Sequence, residues 1–178
     1  MALLLTKEAS KSLISWLPHG PRFIEAYFKT VKQKISLRLI VAYALTEDKE
    51  DAIKNDFYNQ LDRIYRDGHK RSHVTIMVIG DMNAKVGSCN ENMEEVMGTH
   101  GIGSINDNGD RLISFCMEHW LVIGGTIYPH KKVHTANHYL LTSKVKLKLR
   151  SQPKEKNPRI KFNIAALRQQ EHLDSFKL

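Results

Sequence analysis

Cysteine is scarce in this chain, and long apolar runs are missing from it. The two cysteines, Cys89 and Cys116, have no spacing typical of a metal or redox pair, so a reduced interior is expected. No apolar run approaches the roughly 20 residues that cross a bilayer. Lys7 and Glu8 interrupt the apolar start too early for a secretory signal. The sequence therefore predicts an intracellular protein with no membrane partner.

Acidic residues are too few to balance the basic ones, and the excess lies at the carboxyl end. The 178 residues carry a formal charge of +8, and the stretch from Lys144 to Leu178, with ten Lys or Arg and three acids, carries +7 of it. A near-neutral body with a basic tail favours a polyanion partner, nucleic acid, and makes the nucleus one candidate location. A merely solvated tail is the alternative. We divide the chain into a domain over 1–150 and a linker-like tail over 151–178.

Hydrophobic periodicity predicts a protein of the α/β class. The predicted strands are Leu3–Leu5, Phe23–Phe28, Ile35–Tyr43, Val74–Ile79, Leu121–Ile123 and a stretch within Tyr139–Leu149; the predicted helices are Asp48–Tyr65 and Asp110–His119. The residues expected on the buried face of the first helix are Ile53, Phe57, Leu61 and Ile64. Strand–helix–strand units occur twice, which indicates helices packed outside a sheet.

The stretch most suggestive of chemistry is Gly80-Asp81-Met82-Asn83, directly after Val74–Ile79, which we expect to be a central, buried strand. Side chains two apart in a strand share a face, so Asp81 and Asn83 can point to one spot. A carboxylate and an amide there suit a divalent cation or a phosphate oxygen. Gly, Asp and Asn are also ordinary turn residues, and the residues alone leave a plain tight turn as the alternative.

Other features allow two interpretations each. Three histidines are spaced four residues apart: His130, His134 and His138. On a helix they would make a metal-binding face, but Pro129 argues against a helix. Tyr43 ends a predicted strand, and on the residues alone we expect it to pack in the core. Lys85 is expected at the surface, with a phosphate contact as the alternative.

Five segments, in this order, resemble the endonuclease/exonuclease/phosphatase superfamily. They are Ile40–Thr46, Asp56–Leu61, Gly80–Gly87, Asn106–Leu112 and Ile123–Lys132. Within that superfamily the sequence is similar to the endonuclease domains of non-LTR retrotransposons and to craniofacial development protein 2-like sequences. The resemblance runs over about 1–150, and the tail is similar to the linker that follows such a domain.

The resemblance implies a four-layered α/β sandwich, in which two β-sheets pack face to face with helices outside. It also implies hydrolysis of a phosphodiester, usually in DNA, with magnesium or manganese. Tyr43 would contact the scissile phosphate, and Asn83 would hold one of its oxygens. Asp81 would orient or activate the attacking water and act as a metal ligand. His138 would stabilise the charged transition state.

The chain departs from this pattern, which predicts an incomplete fold and site. The resemblance implies a first strand and a metal-binding Glu upstream of Met1, and Asn137 stands where the Asp partner of His138 belongs. A block is missing between Thr135 and Asn137. Magnesium is held by several hard oxygen ligands, so Asp81 alone makes a weak site. We therefore predict a DNA endonuclease domain of retrotransposon origin with little or no activity. The alternative is a non-catalytic nucleic-acid-binding remnant that acts through its basic tail.

Overall fold

The structure, a computed structural model, describes residues 2–32, 34–68 and 74–129. These residues form one mixed four-stranded sheet with flanking helices, which confirms the predicted α/β class. In chain order the elements are helix α1 (Lys7–Ser10), strands β1 (Leu13–Pro18), β2 (Phe23–Lys29) and β3 (Ser36–Tyr43), helix α2 (Asp51–Asp67), strand β4 (Val74–Asp81), helix α3 (Asp107–Glu118) and a 3-10 turn (Gly124–Thr126). The described part contains this single sheet, so the second sheet of the implied sandwich is not among these elements. No helix in the described part is both long and apolar enough to span a bilayer.

The register of the strands assigns each side chain to one of two faces of the sheet. The strand order is β1-β2-β3-β4; β2 runs antiparallel to both β1 and β3, and β4 runs parallel to β3. Phe23 lies opposite Ala42 on the face that packs against α2 and α3, which we call the helix face. Ala26 lies opposite Leu39 on the other side, which we call the second face, and Leu3 packs against part of it.

The core lies between the helix face and the two long helices. The rings of Phe23 and Phe57 stack there with centroids 4.7 Å apart, and Leu61 is fully buried beside them. From α3, Phe115 and Cys116 complete this cluster. Burial raises the pKa of the Cys116 thiol to about 12, so this cysteine stays a neutral, unreactive core residue at physiological pH.

One helical position was predicted on the wrong side. Phe57, Leu61 and Ile64 are buried on α2 as predicted, but Ile53 is 46% exposed and its neighbour Lys54 is buried instead. The Lys54 ammonium reaches the Asp107 carboxylate at 3.0 Å. Because this ion pair satisfies the buried charge, a lysine takes the place that periodicity assigned to an isoleucine.

A buried arginine joins the sheet to the end of α2. Arg38 is fully buried on the helix face, where its Nε donates to Glu25 Oε1 at 2.6 Å. Its Nη1 and Nη2 donate to the carbonyls of Tyr65 and Ile64, the former at 2.7 Å. These carbonyls belong to the last turn of α2, where a helix leaves its acceptors unsatisfied and prefers a nearby cation. Gly68 makes room for the contact, since a Cβ there would lie 1.9 Å from Arg38 Cζ.

The expectation of a central, buried Val74–Ile79 strand is wrong. β4 ends the sheet formed by the described residues, and its side chains are partly buried or exposed. Within the described part, β4 pairs with β3 alone. Periodicity assigned this apolar run to the interior of the sheet, but only one of its two edges is hydrogen-bonded to another described strand. The strand also continues through Gly80 to Asp81.

Two other predicted strands are absent from their positions, and one strand was missed. Leu3–Leu5 is irregular and packs Leu3 and Leu5 against the second face. Leu121–Ile123 is also irregular; the Ile123 N–H bonds to Val96 O at 2.8 Å and the chain passes directly into the 3-10 turn. β1 was not predicted because five of its six residues are exposed and give no apolar alternation.

Candidate functional site

Three side chains of different chemistry lie side by side where β3 and β4 end. Parallel strands end at the same edge of a sheet, and Tyr43 is paired in register with Asp81. On the other side of β3 the Tyr43 N–H donates to Arg22 O at 3.0 Å, so Arg22 continues the ladder just before β2. We call Arg22, Tyr43 and Asp81 the edge row. The alternation of the register places all three on the second face, away from α2 and α3.

The arginine of the edge row is fixed against the tyrosine. The Arg22 Cζ lies 5.6 Å from the centroid of the Tyr43 ring, and its Nη1 donates to Tyr43 O at 3.1 Å. Tyr43 is 47% exposed, so the expectation that it packs in the core is wrong. The helices cover the opposite face of β3, which leaves this ring open to a ligand.

A close approach of two strands positions the edge row. A shallow depression of about 390 Å³ beside the row is lined by Val41, Ala42, Tyr43, Gly80 and Asp81. Gly80 has a φ of +133°, and a Cβ on it would lie 1.8 Å from Ala42 O. Only glycine allows β4 to pass this close to β3 in this conformation. The alignment of Asp81 with Tyr43 therefore depends on Gly80.

The segment after Asp81 is irregular, and it bends back through a hydrogen bond to the Asp81 side chain, which is closer to the turn interpretation of the sequence than to a continued strand. Asn83 has a φ of +47°, and its N–H donates to Asp81 Oδ1 at 3.0 Å. Its side-chain Nδ2 donates to Ala44 O at 3.0 Å. Strand alternation thus stops before Asn83, and hydrogen bonds within the fold occupy one oxygen of the Asp81 carboxylate and the amide nitrogen of Asn83.

Two asparagines at the start of α3 hold the loops that follow β3 and β4. The Asn106 side chain caps α3, and its Oδ1 also accepts the Lys85 N–H at 2.8 Å while its Nδ2 donates to Asn83 O at 3.1 Å. Asn108 is 1% exposed and donates to Leu45 O at 2.8 Å. The sequence predicted a helix start here, but not this bracing role, because the bonded partners lie more than twenty residues away.

Two acids near these loops, Asp107 and Glu47, are engaged with cations of the chain. Asp107 bonds to Arg111 Nε at 2.7 Å and to Lys54 Nζ at 3.0 Å. These hydrogen bonds, that of Arg111 first, lower the pKa of the Asp107 carboxyl. Glu47 accepts the Asp107 N–H at 3.2 Å and lies 3.7 Å from Lys54 Nζ. Both carboxylates therefore stabilise the start of α3.

The magnesium or manganese that the resemblance implies does not fit the edge row. Magnesium prefers octahedral coordination by oxygen. Asp81 is the single carboxylate of the row, and it also accepts the Asn83 N–H.

In the described ranges one group of three side chains is close enough to share an ion: Asp62, Glu118 and His119. It lies on α2 and at the end of α3, and Arg66 bonds both of its carboxylates.

Some predicted residues lie outside the described residues. His138 is one of them, together with His130, His134 and the tail over 151–178. The roles of Tyr43, Asp81, Asn83 and His138 in chemistry therefore stay predictions. Sequence reasoning missed Arg22 because the predicted strand ends did not fix the register; in the observed register Phe23 lies opposite Ala42, which brings the residue before Phe23 opposite Tyr43.

The fold and the edge row define an α/β domain with polar and aromatic side chains at parallel strand ends. No family model matches the chain, and no solved structure matches it. The chain is 31% identical over 137 residues to Craniofacial development protein 2 of Bos taurus, an alignment that covers 76% of the chain and 22% of that protein. The Craniofacial development protein 2 of Tragulus javanicus is 30% identical over 137 residues, which cover 76% of the chain and 23% of that protein.

This similarity confirms that the chain is homologous to Craniofacial development protein 2 over about three quarters of its length. The chain spans less than a quarter of the length of these curated relatives. The wider relation to the endonuclease/exonuclease/phosphatase superfamily and to retrotransposons stays a prediction.

Proposed function

We propose that this chain derives from a metal-dependent DNA endonuclease domain of retrotransposon origin and that it has little or no phosphodiesterase activity. The derivation is supported by the homology to Craniofacial development protein 2, by the α/β fold, and by the two segments Gly80–Gly87 and Asn106–Leu112, which resemble that superfamily. The alignment of Tyr43 with Asp81 at parallel strand ends supports a former phosphate-handling edge.

The loss of activity rests on one observation, the isolation of Asp81. It is the single carboxylate of the edge row, and it accepts a hydrogen bond from the turn that follows it. Metal-assisted hydrolysis needs several groups placed together around the reacting phosphate. Each missing electrostatic contact lowers the rate by roughly a hundred- to a thousand-fold. Such effects are not additive, but the loss of two or more brings cleavage close to background.

A nicking assay tests this proposal. Supercoiled plasmid is incubated with the purified chain in magnesium or manganese, beside Asp81→Asn and the control Asp56→Asn, which removes an exposed carboxylate from α2. We expect no nicking above buffer with any of the three. Nicking by the chain and by Asp56→Asn that disappears in Asp81→Asn would show a working centre and would refute the proposal.

The second candidate is non-catalytic binding of nucleic acid, and the charge distribution favours it. Residues 144–178 carry +7 of the net charge. Binding to DNA through these residues releases counterions, so we expect affinity to fall steeply with added salt.

Charge-matched variants of the full chain test this candidate. Lys154, Lys156 and Lys161 are changed to Gln in one variant, and the exposed lysines Lys7, Lys11 and Lys32 in the other. By fluorescence anisotropy with a labelled duplex, the tail variant should lose more affinity and a larger part of its salt dependence than the body variant. Equal affinities in both variants would contradict a role for the tail.

A further inference from the structure

Most N–H donors of the Arg22 guanidinium are unused within the described part of the chain. A guanidinium has five N–H donors, and within the described part of the chain the Arg22 guanidinium makes one hydrogen bond, from Nη1 to Tyr43 O. That bond and the ring contact with Tyr43 fix the group at the edge of the sheet, where Arg22 is partly exposed. The side chain is therefore positioned before any ligand arrives, and among residues 2–32, 34–68 and 74–129 its remaining donors have no hydrogen-bond partner.

The arrangement of charge in the edge row favours an anion on one side only. Adjacent strands lie about 4.8 Å apart, and Tyr43 stands between Arg22 and Asp81 in the register. A phosphate bound on the Arg22 side is thus close to the cation and two strands away from the carboxylate. No metal is needed to offset Asp81 in this position, because the guanidinium supplies the positive charge itself.

The tyrosine between the two charges offers a surface for the rest of a nucleotide. The ring is 47% exposed and borders the depression that Val41 also lines. Sugars and bases of a single strand pack on such exposed aromatic rings, often next to an arginine.

We propose that Arg22 is a metal-independent phosphate contact, which holds a phosphate of a DNA strand while the adjoining sugar or base lies on Tyr43. This inference rests on the nucleic-acid-binding candidate above for the identity of the ligand. It places a contact on the body of the chain, whereas that candidate relies on the tail.

Titration followed by nitrogen-15 NMR of the full chain tests the contact directly. The probes are the dinucleotide dTpdT and inorganic phosphate, and the observed signals are the Nε–Hε groups of the arginines. We expect a saturable shift of the Arg22 signal with both probes and tighter binding of the dinucleotide. Arg63, which is exposed on α2 and bonded to Asn59 O, should not shift. Tyr43→Leu should reduce dTpdT binding to the level of inorganic phosphate.

Duplex binding provides a second readout with matched variants. Arg22→Gln should lower the slope of log affinity against log salt by about 1 and weaken binding several-fold, while Arg63→Gln should leave the slope nearly unchanged. Arg22→Lys, which keeps the charge without the planar fork, should lie between Arg22→Gln and the wild type.

The outcomes separate this inference from the function it rests on. An Arg22 signal that stays fixed while signals of the tail move would overturn the inference and leave tail binding intact. Equal binding of both probes, unaffected by Tyr43→Leu, would overturn the part that concerns the ring. A shift of Arg22 with dTpdT in a chain that binds no duplex would support the contact and refute duplex binding through the tail.

Discussion

Replacing Arg38 with methionine should be among the most damaging single changes in this domain. The substitution removes a fully buried guanidinium but keeps an unbranched apolar side chain of comparable length. It leaves the Glu25 carboxylate, 6% exposed, without the Arg38 guanidinium, while His19 Nε2 remains 2.7 Å from Glu25 Oε2. It also removes the donors of the Tyr65 and Ile64 carbonyls at the end of α2.

The size of the effect follows from these lost contacts. Breaking a buried ion pair by removing one partner lowers the free energy of unfolding by about 3–5 kcal/mol. A domain of this kind has a total of about 5–15 kcal/mol, so the variant loses a large fraction of its stability. Removing the acid as well, in Arg38→Met with Glu25→Leu, takes away the buried carboxylate that has lost its arginine. We expect the double variant to be about 2 kcal/mol more stable than Arg38→Met alone, with the lost hydrogen bonds to the two carbonyls at the end of α2 accounting for the remaining loss.

Urea unfolding followed by far-ultraviolet circular dichroism measures these differences. Tryptophan fluorescence suits the purpose less well, since Trp16 and Trp120 are 61% and 81% exposed in the folded chain. Arg63→Met, at an exposed position on α2, is the control and should stay within about 0.5 kcal/mol of the wild type. If Arg38→Met does not fold, Arg38→Lys provides the measurement, with a smaller loss in the same direction. An Arg38→Met variant within about 1 kcal/mol of the wild type would refute the reasoning, and so would a double variant that is no more stable than the single one.

Two more predictions concern the strand pairing and the response to acid. Gly80→Ala should lower the free energy of unfolding by more than about 1 kcal/mol, because its Cβ would lie 1.8 Å from Ala42 O, whereas Gly124→Ala meets no atom within 4 Å and should be nearly neutral in the same urea titration. Burial alone would raise the pKa of Glu25, but hydrogen bonds from Tyr27, His19 and Arg38 lower it below 4.5 overall. The unfolded chain therefore takes up this proton first on acidification, so stability that is present above pH 4.5 should be lost as the pH falls through the folded pKa. Unfolding free energies measured from pH 6 to pH 3 should fall less steeply in Glu25→Gln, and parallel curves would contradict this.

The parts of the fold that the sequence predicted are those governed by local pattern. The β2–β3 hairpin and helices α2 and α3 were predicted within a few residues, because alternation and helical periodicity are properties of neighbouring residues. Local pattern does not determine which strands lie beside a given strand in the sheet. For this reason the apolar run of β4 was placed at the centre of the sheet. Lys54 shows the same limit, since its burial depends on Asp107, a residue on another helix.

The site, like the fold, was predicted only in part, and the features that were missed depend on contacts between distant residues. The resemblance placed Tyr43 and Asp81 at the same phosphate, and the register brings the two residues together. Strand alternation did not reveal that Asn83 turns away after Asp81, because its positive φ is set by hydrogen bonds to Asp81 and Ala44. Local pattern could not show the bracing by Asn106 and Asn108, because it depends on loops that only the folded chain brings together.

These bonds explain how a motif of catalytic appearance can persist without catalysis. In the turn after β4, the Asp81 carboxylate accepts a backbone N–H, the Asn83 amide holds Ala44 O, and the Asn106 side chain holds Asn83 O. Each polar side chain contributes to the fold where it stands, so replacing it is expected to destabilise the loops whether or not any phosphate is cleaved. A Gly-Asp-x-Asn segment is therefore evidence for this arrangement of loops, and evidence for hydrolysis only where further carboxylates join Asp81. Under the proposals made above, these residues brace the loops after β3 and β4, and Arg22 binds a phosphate without a metal.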